Sequence, residues 1–247
     1  MTNKKILISQ QAPINLTPYN ALKEKFGVEI EFRQFFKIEP LTSREFRGQR
    51  LNFLDYTAVV FSSRHAIDAY FHLSEELRIK IPETMKYFCT TEAVAMYLQK
   101  HIVYRKRKIF FGTGTPESVV SLISPKHKGE KFLITTAEGS SASSMTAAFD
   151  AAGLEYTVSA LIKSVSQDMK DVDLNSYGMV VFYNPSDVKS LFENFPEFKQ
   201  NDIKFISYGK SIVGAMNEAG LQTSINAPMP ECPSVAKAIE IVLNQEN

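Results

Sequence analysis

The sequence predicts an α/β fold of two interleaved domains, each a five-stranded parallel sheet with helices on both faces. Three observations carry this expectation. The chain repeats itself, its short apolar strands alternate with helical segments, and each copy of the repeat is interrupted by one long polar connection.

The repeat is read from five matches that occur in the same order. KILIS at 5–9 aligns with KFLIT at 131–135, and FGVEIEF at 26–32 with AGLEYTV at 152–158, both at an offset of 126. VVFSSRHAIDAYF at 59–71 then aligns with VVFYNPSDVKSLF at 180–192, an offset of 121. KYFCTTEAVAM at 86–96 follows with ISYGKSIVGAM at 206–216, and SVVSLI at 118–123 with SVAKAI at 234–239. Slowly drifting offsets are what two copies of one unit leave behind after small insertions in their loops.

Each copy reads as strand, helix, strand, connection, then three further strands each followed by a helix. Strands are expected near 5–9, 28–32, 57–61, 86–89 and 108–112 in the first copy. In the second they are expected near 131–135, 155–159, 178–182, 203–208 and 222–226. Their runs are apolar without alternation, as strands buried on both faces must be. Pro116 and Pro233 suit first helical turns, and Ser186 with Asp187 suits a helix start after Pro185. Gly27, Gly153 and Gly220 suit helix C-termini that lead into the next strand.

The connections at 33–56 and 160–178 are too long for loops inside one compact domain. They make sense as crossings between domains. The chain then starts in domain one (1–36), builds domain two (39–162) and returns to complete domain one (165–247), so each sheet takes two strands from one copy and three from the other.

Composition bounds the function. The chain has 247 residues with 44% hydrophobic and 22% charged content, that of an ordinary globular protein. Its apolar runs fall far short of the roughly 20 residues that span a bilayer, so no membrane partner is expected. A net charge of +1 argues against nucleic acid as a partner. A basic stretch, KHIVYRKRKIFF at 100–111, reads as a solvated helix end and loop or as an anion-attracting surface. Cys89 and Cys232 lack metal-site or redox spacing, and the N-terminal MTNKKILISQQ does not resemble a signal peptide; both readings point to the cytoplasm. No strand is followed by a dinucleotide or P-loop glycine motif, which disfavours a nucleotide-binding receiver.

An ordered set of motifs resembles the uroporphyrinogen-III synthase family. FSSRHAI at 61–67 is similar to that family's F-[ST]-S-x-x-A-[IV] strand end, and FYNPSDV at 182–188 to its F-x-S-P-S-x-V, with Asn184 in place of Ser. GKSIVGAMNEAGL at 209–221 and APMP at 227–230 correspond to its two late motifs. The resemblance implies two flavodoxin-like domains joined by a two-stranded hinge, here at crossings 33–38 and 159–164, with the active site in the cleft between domains. It implies conversion of hydroxymethylbilane, a linear tetrapyrrole with eight carboxylates, into uroporphyrinogen III with inversion of ring D, and it implies no metal or other cofactor. A monomer is expected, since nothing demands more.

Ligands of open parallel sheets bind beyond the C-terminal strand ends, where helix N-termini present backbone N–H groups. Candidate substrate-binding residues there are Ser62, Ser63, Arg64, His65, Thr90, Thr91, Gly112, Thr113, Thr135, Thr136, Asn184, Ser186, Lys210 and Ser211. Each hydroxyl or amide is equally suited to capping its own helix. His72, His101 and His127 read as surface or connection residues.

Three positions depart from the family pattern. Ile162 stands where the family places a Tyr, leaving Tyr183 as the candidate catalytic phenol. The late Thr-Thr pair is Ser211 and Ile212, and Lys210 replaces Pro. The early T-R-P-like turn reads Ser9-Gln10-Gln11, which removes an arginine, and SSASS at 140–144 likewise carries no basic residue. An active but divergent synthase and a non-catalytic two-lobed paralogue that binds an anionic ligand are both compatible with these changes.

Overall fold

The computed structural model describes residues 4–123, 125–140 and 142–245, together with their side chains except those of Pro125, Ser143 and Lys210. Residues 1–3 of the N-terminal stretch and Ser141 of SSASS lie outside the described residues. The chain forms two compact units, one from residues 1–37 and 165–247, the other from residues 38–164.

The first unit carries β1 (Lys5–Ile8), α1 (Thr17–Phe26), β2 (Glu29–Phe32), β9 (Met179–Phe182), α7 (Pro185–Asn194), β10 (Lys204–Tyr208), α8 (Lys210–Glu218), β11 (Thr223–Ala227) and α9 (Val235–Gln245). Its sheet has the order β11-β10-β9-β1-β2, and every pair is parallel. Alternation explains the two-sided core. Ile6, Ile8, Met179 and Val181 face Leu22 of α1 and Ile239 of α9, whereas Leu7, Val180 and Phe182 face Leu191 of α7 and Met216 of α8.

The second unit carries β3 (Phe36–Pro40), α2 (Ser43–Gly48), β4 (Ala58–Phe61), α3 (Arg64–Glu76), β5 (Lys86–Cys89), α4 (Glu92–Tyr97), β6 (Ile109–Phe111), α5 (Pro116–Val120), β7 (Phe132–Ala137), α6 (Ser143–Ala151) and β8 (Tyr156–Ser166); β3 and β8 run across the boundary between the units. Its sheet order is β3-β8-β7-β4-β5-β6. Val59 and Phe61 of β4 face Ile67 and Tyr70 of α3, while Ala58 and Val60 face Val119 of α5 and Phe149 of α6.

The ten expected strands all form, within two residues at their starts, though β8 runs seven residues beyond its expected end. The connections differ from expectation because they are not loops. Residues 36–40 form β3, and Leu41 N donates to Leu161 O while Gln167 N donates to Phe35 O, so β3 runs antiparallel to β8 and adds a sixth strand. A capping box then starts α2, in which Thr42 and Glu45 satisfy each other's backbone N–H, and Phe46 and the following Phe53 are buried. Pro233 does not occupy a first turn; α9 begins at Val235, and Ser234 Oγ accepts from Lys237 N. Gly27 has φ 64° at the end of α1, and Gly153 and Gly220 take positive φ just past α6 and α8. Cys89 and Cys232 are free and buried.

Both sheets share one ladder. Sheet one reads β2-β1-β9-β10-β11, and five strands of sheet two read β8-β7-β4-β5-β6. In each, the chain order reverses beside one strand pair, β1 with β9 and β7 with β4. Such a switch point opens a crevice at the C-terminal strand ends, because the flanking connections leave to opposite faces.

Candidate functional site

Parallel strands place the expected residues beyond the C-terminal edge of each sheet, unit by unit. In the second unit, Ser63 caps α3, its Oγ accepting from Ala66 N at 3.1 Å, and Thr91 caps α4, its hydroxyl accepting from Val94 N at 3.3 Å. Ser62, Arg64 and His65 lie at the same tip, with the Arg64 guanidinium 5.5 Å from the Tyr97 ring centroid. Thr90 Oγ1 donates to Ser62 O at 3.4 Å and ties two strand ends together. Thr113 N donates to Ser118 Oγ at 2.9 Å, and a side chain at Gly112 would meet that same oxygen at 2.3 Å. Thr135 is buried and its hydroxyl donates to Val60 O at 2.7 Å, so it braces the β4–β7 switch point instead of presenting a donor. Thr136 Oγ1 donates to Ser140 O at 3.4 Å.

Beside α3 lies a cavity of about 440 Å³ that includes Ile38, His65, Asp68, His72, His101 and Ile162 in its lining. Asp68 accepts from Tyr97 Oη at 2.7 Å, Lys100 Nζ at 2.9 Å and His101 Nε2 at 2.8 Å. Burial works to raise this carboxyl, but those hydrogen bonds outweigh it and hold it below the usual range. Ile162 is 8% exposed and packs into the core behind this cavity.

In the first unit, β9 ends at Phe182, and Tyr183-Asn184-Pro185-Ser186-Asp187 makes the turn into α7. Pro185 occupies the first helical position, Asn184 Oδ1 accepts from Ser186 N at 2.9 Å, and Asp187 closes a capping box. Asp187 Oδ2 takes three donors: Ser9 Oγ at 2.7 Å, Tyr183 N at 2.9 Å and Asn184 N at 3.0 Å. Its other oxygen, Oδ1, is buried without a partner. Burial outweighs the hydrogen bonds from Tyr183, Ser9 and Asn184 and pushes this carboxyl up to about 6. Tyr183 is half-buried. Its ring lies 5.4 Å from that of Tyr208, and burial together with the nearby Tyr19 pushes its phenol well above the ordinary range. A cavity of about 440 Å³ lies at this β1–β9 switch point, lined by Ser9, Gln10, Gln11, Gln34, Phe36, Tyr183, Asn184 and Asp187. Ser211 is exposed in the first turn of α8, and Lys210 begins that helix. Among the described residues no cluster of three or more His, Cys, Asp or Glu is disposed to hold a metal, and no helix is long and apolar enough to cross a membrane.

The family model for uroporphyrinogen-III synthase HemD matches residues 18–237. The chain belongs to the uroporphyrinogen-III synthase family. Two solved structures have the same fold over nearly their full length. Uroporphyrinogen-III synthetase from Helicobacter pylori is 16% identical, with 98% of this chain and 99% of that one covered at a TM-score of 0.54. A mutant uroporphyrinogen III synthase from the extremely thermophilic bacterium Thermus thermophilus is 14% identical, with the same coverage and a TM-score of 0.52. The comparison with curated proteins gave no significant match. The turn after β1 places Gln10 and Gln11 in the lining that the buried Asp187 shares. The sequence pattern around Asp187 marks only a helix start. Its burial depends on Ser9, 178 positions away, which no local pattern reveals.

Proposed function

We propose that this chain is a uroporphyrinogen-III synthase that closes hydroxymethylbilane to uroporphyrinogen III with inversion of ring D and release of water. The family-model match over residues 18–237 carries the reading. The sheet ends support it. Each unit gathers helix N-termini, hydroxyls and amides beyond its strands, the kind of donor set that an eight-carboxylate substrate needs. Ser62, Ser63, Arg64, His65, Thr90, Thr91, Gly112, Thr113, Thr136, Asn184, Ser186, Lys210 and Ser211 are proposed to bind the substrate's carboxylates, with Thr135 bracing them from below. The crossings at 33–38 and 159–164 are proposed as the hinge, and the enzyme is proposed to act as a cytoplasmic monomer.

The task set by this chemistry is one of orientation. An electron-rich pyrrole expels hydroxide readily, and closure without inversion competes. A thousandfold preference for the inverted product needs about 4 kcal/mol of differential stabilisation, which positioning alone supplies. Supplying the protein with hydroxymethylbilane and separating the isomers of the oxidised product tests the reading. The type III isomer is expected, and type I alone would overturn it.

A further inference from the structure

The described residues of the first unit bury one carboxylate that its cap does not fully use. Three donors converge on Asp187 Oδ2, and Oδ1 has none. The residue is 1% exposed and lines the switch-point cavity, whose 440 Å³ lies within the ordinary range for small-molecule sites, roughly 300–1,000 Å³. A helix cap alone is satisfied by one oxygen. An orphaned buried oxygen is costly and calls for a partner, which a bound ligand supplies.

We propose that Asp187 is the general acid that protonates the departing hydroxyl of hydroxymethylbilane in the β1–β9 cavity. This rests on the reading of the chain as a synthase. Because Oδ2 accepts from Ser9, Tyr183 and Asn184, a proton on this carboxyl sits on Oδ1, the buried oxygen without a partner. In the step, that proton passes from Oδ1 to the hydroxymethyl oxygen. The C–O bond breaks with its electron pair going to oxygen, water leaves, and the pyrrole nitrogen lone pair forms the new double bonds of an azafulvenium cation. The Asp187 carboxylate left behind stabilises that cation beside it. Ring closure consumes the cation, and the proton lost as the attacking pyrrole ring regains its aromaticity reprotonates Asp187.

The lining explains why the carboxyl can carry a proton near neutrality. Among the described residues that line the cavity, Tyr183 is the one titratable side chain besides Asp187. The β1 turn contributes Ser9, Gln10 and Gln11, the segment after β2 contributes Gln34 and Phe36, and the β9 turn contributes Asn184. Gln10 and Gln11 place no cation beside Asp187, which leaves it protonatable, whereas an arginine in the β1 turn would hold it ionised. Tyr183, half-buried beside Tyr19, is a weaker acid and is thereby displaced as the catalytic group.

The test measures type III formation by wild type, Asp187→Asn and Gln10→Arg from pH 5 to 8, with spontaneous closure subtracted. Wild-type kcat/KM is expected to fall as pH rises above about 6. Asp187→Asn, which keeps an acceptor for the cap, is expected to lose about 100-fold in kcat, within the usual range for a general acid. Gln10→Arg is expected to move the descending limb to lower pH, a shift that a merely structural Asp187 would not produce. A flat wild-type profile overturns the inference even if Asp187→Asn fails to fold, and undiminished turnover by folded Asp187→Asn overturns it as well. In both cases type III formation leaves the synthase reading standing. Absence of type III product from wild type would instead overturn that reading, and the inference with it.

Discussion

At the scale of single residues, Asp187 links folding to chemistry. Its carboxyl is raised by burial to about 6 in the folded protein, above the 3.8 it takes when exposed. The native state therefore holds this proton more tightly than the unfolded chain. Its protonation favours folding at low pH, and that contribution is lost as pH rises from about 4 through about 6. In thermal melts, Asp187→Asn is expected to gain on wild type by about 3 kcal/mol at pH 8 and to lose that advantage below pH 4. A constant difference across that range would show that the carboxyl is not perturbed. Tyr183→Phe removes the hydroxyl but leaves the ring against Tyr208. Turnover is expected to change by less than about threefold, under 1 kcal/mol of barrier; a hundredfold loss would return the acid role to Tyr183. The sequence showed that Asp187 starts a helix, because a capping box is local. It did not show that Ser9 and the β1 turn bury it, because that depends on strand pairing between β1 and β9.

At the scale of elements, apolar patterning was sufficient for the ten strands of the two repeats and silent on the crossings. Strands buried on both faces leave an unmistakable run of Val, Ile and Phe. β3 does not, since FKIEP at 36–40 is partly exposed and borrows its order from pairing with β8. The same holds for α2, a short capped helix whose Phe46 ring lies 4.6 Å from that of Phe53, which in turn packs on Tyr70. Phe53 is fully buried, so Phe53→Ala is expected to cost about 3–5 kcal/mol in urea unfolding of the second unit, as a core aromatic does. A change below about 1 kcal/mol would mean that the connection is a loop after all. Gly112 tests the packing of β6 on α5. A Cβ there would lie 2.3 Å from Ser118 Oγ and 3.1 Å from the backbone of Ser118 and Val119, so Gly112→Ala is expected to destabilise the same unit by about 1–3 kcal/mol.

At the scale of the whole molecule, the two units share one strand ladder because the chain is a duplicated sequence whose copies trade strands. The second unit is continuous in sequence, residues 38–164, whereas the first needs both ends of the chain. Expressed alone, residues 38–164 are expected to melt cooperatively while giving no type III product, since the β1–β9 cavity is absent; a featureless, non-cooperative melt would show that the unit depends on the rest of the chain. The repeat and the fold class were legible because five ordered matches and ten apolar strands report directly on topology. The chemistry was less so, because the cavity at the β1–β9 switch point is assembled from segments far apart in sequence: the turn after β1, the residues after β2 and the turn after β9. The isomer ratio formed from hydroxymethylbilane decides whether the chain is a synthase: type III is expected in large excess over type I, and a product indistinguishable from spontaneous type I closure would contradict the activity.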